Sequence, residues 1–403
     1  MKILFVSQYF YPEVFKGNDV VFDFVKRGHE VTVLTGKPNY PGGNFFEGYS
    51  FFGKNEEIIQ GAKVIRTPLY PRKNGKAIHI ILNYFSFIFF SYFTCMFRVK
   101  GRYDLIFVQQ LSPVTMALPG IWLKKRYNTP LYLWVLDLWP ESVLAASSFK
   151  NGKIIRLMEI LVTYIYNKSD VILISSKYFK ESIVKKLQNK NKEIIYFPNW
   201  AEDVFTGIPK NYISIPDLPY GFNIMFAGNV GESQDFETIL KAAELTKVEN
   251  INWIIVGDGR KKDWVIDEIR NKKISNVYLL GRYDIETMPY FFKKADIMLV
   301  SLKDEPSFAL TVPAKIQAYM ASGKIILGSL NGEGNLLINE SKCGFAVAAG
   351  DYISLGQKAS ELKGLSKEKK KEMEYNSKYY YENNFSKTML LDRIENIFIS
   401  NID

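Results

Sequence analysis

Asp304 and Glu305 stand side by side in a polar stretch, and Lys315 follows shortly after, in VSLKDEPSFALTVPAKIQAYMASGKIILGS, residues 300–329. Adjacent acids followed by a lysine could meet a polar ligand if the fold sets them at a strand end. The surrounding pattern says where such groups would sit. ADIMLV up to Val300 is an apolar run that predicts a buried strand, and Ser301 to Thr311 predicts a polar loop. Pro313 suits a helix start, where its missing N–H would be unpaired anyway. Ile316, Tyr319 and Met320 then recur at helical spacing, and Gly323 ends the helix before the strand KIILGS. This is one βαβ unit, and ligands in open α/β sheets bind beyond the C-terminal ends of the strands. On spacing alone, two ordinary solvated charges at Glu305 and Lys315 fit equally well.

The chain has 403 residues, enough for two α/β domains with separate cores. Hydrophobic residues at 47% and aromatics at 15% exclude disorder. Cys95 and Cys343 are far apart in apolar or Gly-rich surroundings, so neither a disulfide framework nor a thiol metal site is expected. MKILFVSQYF reads as a first strand rather than a signal peptide, which places the protein inside the cell. Charge is uneven: residues 1–200 hold 27 Lys and Arg against 14 Asp and Glu, whereas residues 201–403 hold 25 against 28. A basic first half implies an anionic partner: nucleic acid, a membrane surface or a phosphorylated substrate.

From the start, the run at residues 3–7, a helix over roughly Val20 to Lys26 and the strand VTVLTG form a βαβ unit. The loop KGND before that helix could hold an anion at the helix N-terminus, but it is not GxGxxG. AIHIILNYFSFIFFSYFTCMF, residues 77–97, is apolar on every face and carries no charged residue. A buried helix, a helix in a membrane interface and a membrane span compete for it. Arg72, Lys73 and Lys76 before it, Arg98, Lys100 and Arg102 after it, and its tyrosines suit an interface. Asp137 and Glu141 follow the strand LYLWVL, at the end where α/β sheets keep their working residues. A helix cap and a solvated acid are the plainer reading of the two.

Periodicity loosens over 201–220, which marks a domain boundary, and FNIMFAGNVG opens a second βα series. Two similar halves suggest a substrate cleft between them. The loops GNVGE, GDGRKK, LGRY and NGEGN each follow a strand and carry Gly, which together points to a nucleotide site. With only His29 and His79 present, Ser-His-Asp, Cys-His and zinc chemistry are poorly supported. Neither a DxD pair at a strand end nor GxxxxGK[ST] appears, leaving chemistry by positioning and by positive charge on a leaving diphosphate. Metal-independent glycosyl transfer fits that description.

The segments SQYFYPE, RGHEVTVLTGKPNYPGG, DLWPES, FPNWAED, GNVGESQDFETIL, IIVGDGRKKDW, LLGRYDIETMPYFFKKAD and SLKDEPSFALTVPAKIQAYMASGK run nearly end to end. Through them the chain resembles retaining glycosyltransferases of the GT-B fold, family four, and most nearly the bacterial WbuB-like L-fucosamine (N-acetylfucosamine) transferases. The resemblance implies an α/β protein of two Rossmann-like domains, an acceptor-binding 1–205 and a nucleotide-sugar-binding 206–385, with a final helix, 386–403, packing back on the first. It implies no metal and no cofactor, with a UDP-sugar as donor substrate and an undecaprenyl-diphosphate-linked saccharide as acceptor. It also implies an anionic membrane surface met through the basic domain and segment 77–97, at the inner face of the cytoplasmic membrane, with nucleic acid excluded. A GT-B-fold UDP-sugar 2-epimerase and a non-catalytic binding member are the alternatives.

Onto this sequence the resemblance carries Glu305 as the acid facing the donor sugar and Lys315 with Arg260 as cations on the diphosphate. Gly228, Asn229, Arg282 and Glu333 would line the donor site, Gly17 is what remains of an N-terminal glycine pair, and Asp137 and Glu141 would face the acceptor. The family's second glutamate falls on Ala318, so Gln317 becomes its substitute at the ribose. The usual Arg and Lys after the first strand of the second domain appear as Asn229 and Gln234.

Overall fold

The structure, a computed structural model, describes residues 1–146, 151–207 and 213–401. It divides into two compact units, Met1–Phe197 with Leu391–Asp403, and Pro198–Leu390. Residues 208–212 of the loosened stretch lie outside the described residues.

The first unit is built on an eight-stranded sheet. Its strands are β1 (Lys2–Val6), β2 (Glu30–Gly36), β3 (Glu56–Ile59), β4 (Ala62–Thr67), β5 (Leu105–Gln110), β6 (Leu131–Val135), β7 (Val171–Ile174) and β8 (Ile194–Tyr196), in spatial order β3-β4-β2-β1-β5-β6-β7-β8. All neighbours are parallel except β3, which pairs antiparallel with β4. Gln60 and Gly61 both take positive φ in the two-residue turn between them, the backbone that matches the twist of a tight hairpin. The apolar runs of β1, β5 and β6 are buried on both faces, as parallel strands under crossover helices must be. The last helix, Lys387–Ser400, enters this unit from Leu391. There Phe398 meets the rings of Phe24, Phe107 and Tyr132, and Glu395 meets Arg27 and His29.

Two expectations for this unit change. The helix after β1 runs Lys16–Lys26, so KGND is its first turn rather than a preceding loop. Phe15 is extended just before it, and Asp19 supplies an acid to the first turn, where the helix dipole favours negative charge. The helix Ala77–Phe97 forms in the expected extent, and of the readings open for it the buried one falls away: only 28% of its apolar window is buried. Ile78, Ile81, Leu82, Phe85, Phe89 and Phe97 are all exposed along it.

The second unit has a six-stranded parallel sheet: β9 (Phe222–Ala227), β10 (Ile251–Val256), β11 (Val277–Gly281), β12 (Ile297–Ser301), β13 (Ile325–Ser329) and β14 (Gly344–Val347). The spatial order is β11-β10-β9-β12-β13-β14. The chain leaves β9 to one side for β10 and later returns on its other side for β12. That reversal is the switch point at which open sheets hold ligands, and Gly228 is the residue immediately after β9. Phe226, Ile239, Trp253, Ile255, Leu299 and Leu327 belong to the core that keeps these strand ends in place.

Candidate active site

In the second unit the loops after β9 and β10 touch backbone to backbone. Gly228 N–H donates to Val256 O at 2.8 Å, and Val230 N–H to Asp258 O at 2.8 Å. A Cβ on Gly257 would lie 1.8 Å from the Gly228 carbonyl oxygen, so only glycine allows this approach. Beside the two loops opens a cavity of about 970 Å³ lined by Gly228, Asn229, Gly259, Arg260, Arg282 and Tyr283, among others. The structure thus brings together four of the expected donor residues. Arg260 and Arg282 project on its rim as exposed cations, and Asn229 packs beside Gly231 and Gly259.

Lys315 reaches the same loop from another element. Its helix, Ala314–Ala321, follows Pro313 and stops at Ser322, with Gly323 in the left-handed region beyond it. Tyr319, one turn on, donates its hydroxyl to Ala227 O at 3.3 Å and accepts from Ala227 N at 3.2 Å, which pins the helix to the end of β9. The Lys315 ammonium then lies 3.7 Å from the centre of the Phe226 ring and 2.6 Å from Gln234 Oε1. A Cβ on Gly228 would come within 3.2 Å of the Lys315 Nζ. Burial pushes its pKa down to about 7, because its neighbours are a ring and an amide rather than a carboxylate.

The acidic loop is organised differently from the expectation of a plain loop, since it holds a short helix, Pro306–Ala309. Asp304 accepts from Asn331 Nδ2 at 2.7 Å, and Gly332 lies so close that a Cβ there would meet Ala309 O at 1.8 Å. Glu305 sits just before this helix with its side chain exposed and without a cap hydrogen bond. Lys303, which nothing in the sequence pattern singled out, pairs with Glu232, as does Lys261 at 2.9 Å.

Two donor-side assignments fall outside the cavity lining. Gln317 is 1% exposed inside its helix, with its Oε1 buried and without a hydrogen-bond partner among the described residues. Glu333 begins the helix Glu333–Glu340, is buried at 5% exposure and is not among the residues that line the cavity. Both lie on helices whose apolar neighbours turn them inward, which motif alignment does not report.

In the first unit Gly17 is buried, and a Cβ there would meet Gln109 Oε1 at 2.2 Å and the Phe5 ring at 2.6 Å. Its glycine is required by the close seating of the helix on β1 and β5. Asp137 follows β6 and hydrogen-bonds Ser112, while burial raises its pKa. The Ser112 hydroxyl also accepts from Trp139 Nε1 at 2.9 Å. Glu141, by contrast, is taken up in structure: its Oε1 accepts from Lys186 Nζ at 2.7 Å and Ser182 Oγ at 2.5 Å, tying down the helix Phe179–Lys186. Its Oε2 is buried without a hydrogen-bond partner among the described residues.

Glu13 ties the segment SQYFYPE to LTGKPNYPGG. It is buried, with Oε1 accepting from the backbone N–H of Asn39 at 2.8 Å and Tyr40 at 2.7 Å, and Oε2 from that of Phe10 at 3.3 Å. The two loops at the C-terminal end of the sheet are therefore one latched piece.

Residues 22–200 match the family model described as glycosyl transferase 4-like domain, and residues 221–363 the one described as glycosyl transferases group 1. WcaI of Escherichia coli K12, named as a glycosyl transferase for colanic acid biosynthesis, is 26% identical over 384 residues, 91% of this chain and 88% of its own length. Sucrose-phosphate synthase from Thermosynechococcus elongatus superposes with a TM-score of 0.73 at 13% identity, covering 99% of this chain and 98% of that one. Anabaena HepE, solved with UDP and glucose, superposes with a TM-score of 0.64 at 13% identity over 99% of this chain and all of its own. These likenesses show the fold.

Proposed function

We propose that this chain, a glycosyltransferase of the GT-B fold acting in polysaccharide biosynthesis, moves a sugar from a UDP-sugar to a lipid-linked saccharide with retention at the anomeric carbon. The observation that carries the donor half is Lys315, an ammonium with no carboxylate partner among the described residues, held against the Gly228 loop at the switch point of the second sheet. The adjacent cavity with Arg260 and Arg282 has the volume and charge for a nucleoside diphosphate. HepE was solved with UDP and glucose, which supports uridine as the nucleoside.

In the proposed reaction the bond from the anomeric carbon to the diphosphate oxygen breaks as the acceptor oxygen bonds to the same face. The acceptor's hydroxyl proton passes to the departing phosphate oxygen, so no histidine base is needed. Lys315 and Arg260 would hold the charge that grows on that oxygen. Glu305 would face the donor sugar, and Asp137 the acceptor. N-acetyl-L-fucosamine or a related acetamido sugar is the proposed donor glycosyl group, transferred without a metal ion. The exposed face of Ala77–Phe97 with its basic flanks supports a peripheral position on an anionic membrane, where an undecaprenyl-diphosphate-linked acceptor resides.

Both family models describe transferases, which favours transfer over epimerisation or mere binding. Incubating the protein with a UDP-acetamido sugar and a lipid-linked disaccharide, then reading the new anomeric proton coupling by NMR, tests the reading. Retained configuration with UDP released is expected; inversion, or an epimerised UDP-sugar with no new linkage, would contradict it.

A further inference from the structure

Arg72 follows β4 in the loop that leads straight into the helix Ala77–Phe97. Its guanidinium carbon lies 5.2 Å from the ring centre of Tyr40, 5.3 Å from Tyr84 and 5.4 Å from Tyr9. One terminal nitrogen donates to Tyr9 OH at 2.6 Å and to Tyr84 OH at 2.8 Å. Its backbone N–H donates to Asn39 Oδ1 at 3.1 Å, on the loop that Glu13 latches. The cation is thus held in one pose by rings and phenols, and burial keeps both phenols, Tyr9 and Tyr84, protonated well into alkaline conditions.

Among the described residues no carboxylate pairs with Arg72, and its Nε is buried without a hydrogen-bond partner. A half-buried guanidinium is ordinarily matched by an acid, and one matched only by neutral hosts keeps its charge and its remaining N–H donors for a ligand. Phosphate oxygens suit that planar fork better than any other common anion except a carboxylate. Lys73 and Lys76 are exposed close by in sequence and add to the positive field. The same cage leads to Asp137: Tyr9 OH donates to Ser112 O at 2.9 Å, and Ser112 hydrogen-bonds Asp137.

We infer that Arg72, caged by Tyr9, Tyr40 and Tyr84, is an anion subsite of the first unit that takes a phosphate of the lipid-linked acceptor. This rests on the transfer to a lipid diphosphate proposed above and adds the group that would recognise it. A prenyl diphosphate has a charged head joined to an apolar chain, and the protein presents these features consecutively. Arg72 precedes the exposed Ile78, Ile81, Leu82 and Phe85 by no more than a few helical turns of sequence. A phospholipid headgroup offers the same phosphate chemistry, so the test must separate the two sources.

The full chain, in detergent and saturated with UDP so that the donor site is filled, is titrated calorimetrically with farnesyl diphosphate and with farnesol. Wild type should prefer the diphosphate by about tenfold or more, the size expected of charge-assisted hydrogen bonds. Arg72→Gln should abolish that preference and Arg72→Lys reduce it, with UDP affinity unchanged in both. Should Arg72→Gln fail to fold, Arg72→Lys decides. A preference kept in the folded variants, or absent from wild type that binds UDP, overturns the inference and leaves the transferase reading standing. Failure of wild type to bind UDP would instead count against that reading. Binding to phosphatidylglycerol vesicles is the second arm: if Arg72→Gln weakens it while the diphosphate preference survives, the phosphate belongs to the bilayer and the acceptor assignment is overturned.

Discussion

Lys315 Nζ stands 2.6 Å from Gln234 Oε1. The family resemblance implies a lysine at the position of Gln234; here the residue is neutral, and the cation beside it comes from the helix Ala314–Ala321. This relationship leads to the first prediction. Lys315→Ala should weaken UDP binding by about ten- to a hundredfold, the range for losing a hydrogen bond to a charged group. Thermal stability should hold or rise, since a desolvated ammonium is removed; calorimetry and melting curves check both.

The same ammonium sets a pH dependence. Burial lowers its pKa from 10.5 to about 7, so it is charged below that pH and neutral above it. Affinity for a UDP-sugar, whose diphosphate does not titrate near neutrality, should fall as pH rises through about 7, and the fall should vanish in Lys315→Ala. For folding the sign is opposite. Between about 7 and 10.5 the unfolded lysine binds a proton that the folded one does not, so stability gains from this group as pH rises through that window. Binding isotherms from pH 6 to about pH 9 would show a flat profile if the charge plays no part.

The fold was largely legible from the chain, because parallel strands under crossover helices leave apolar runs such as LIFVQQ and INWIIV. The site was legible only where it depends on backbone. Gly228, Asn229, Arg260 and Arg282 fall together because they occupy successive strand ends. The burial of Gln317 and Glu333 and the pairing of Glu141 were not legible, because they turn on which way a helical side chain faces and on partners far off in sequence, such as Lys186 for Glu141. The Arg72 cage draws on four separate segments, and no local spacing could have announced it.

Glu13→Ala should destabilise the protein on the order of 3 kcal/mol, since it strands three buried backbone donors. Burial raises the carboxyl from 4.5 to about 7, so the folded state holds its proton more tightly. Its contribution to stability accordingly declines as pH rises from 4.5 to about 7. Denaturant titrations of both proteins across that range should converge in slope only if Glu13 is not the titrating group.

Phe85 and Phe89 are 67% and 60% exposed, enough that replacing both with Ser should leave the melting temperature within a degree or two. Sedimentation with anionic vesicles should nevertheless show binding weakened by at least about tenfold, given roughly 1.5–3 kcal/mol for each large apolar side chain buried. Unchanged sedimentation would remove the helix Ala77–Phe97 from the membrane contact.

The central claim is a metal-independent UDP-sugar site in the second unit. The most direct test is a panel of UDP-, GDP- and dTDP-sugars scored by thermal shift on the purified protein, each repeated with EDTA. The account predicts stabilisation by UDP-sugars alone, undiminished by EDTA and strongest with an acetamido sugar. A shift that EDTA abolishes, or that GDP- or dTDP-sugars produce in place of UDP-sugars, would contradict it.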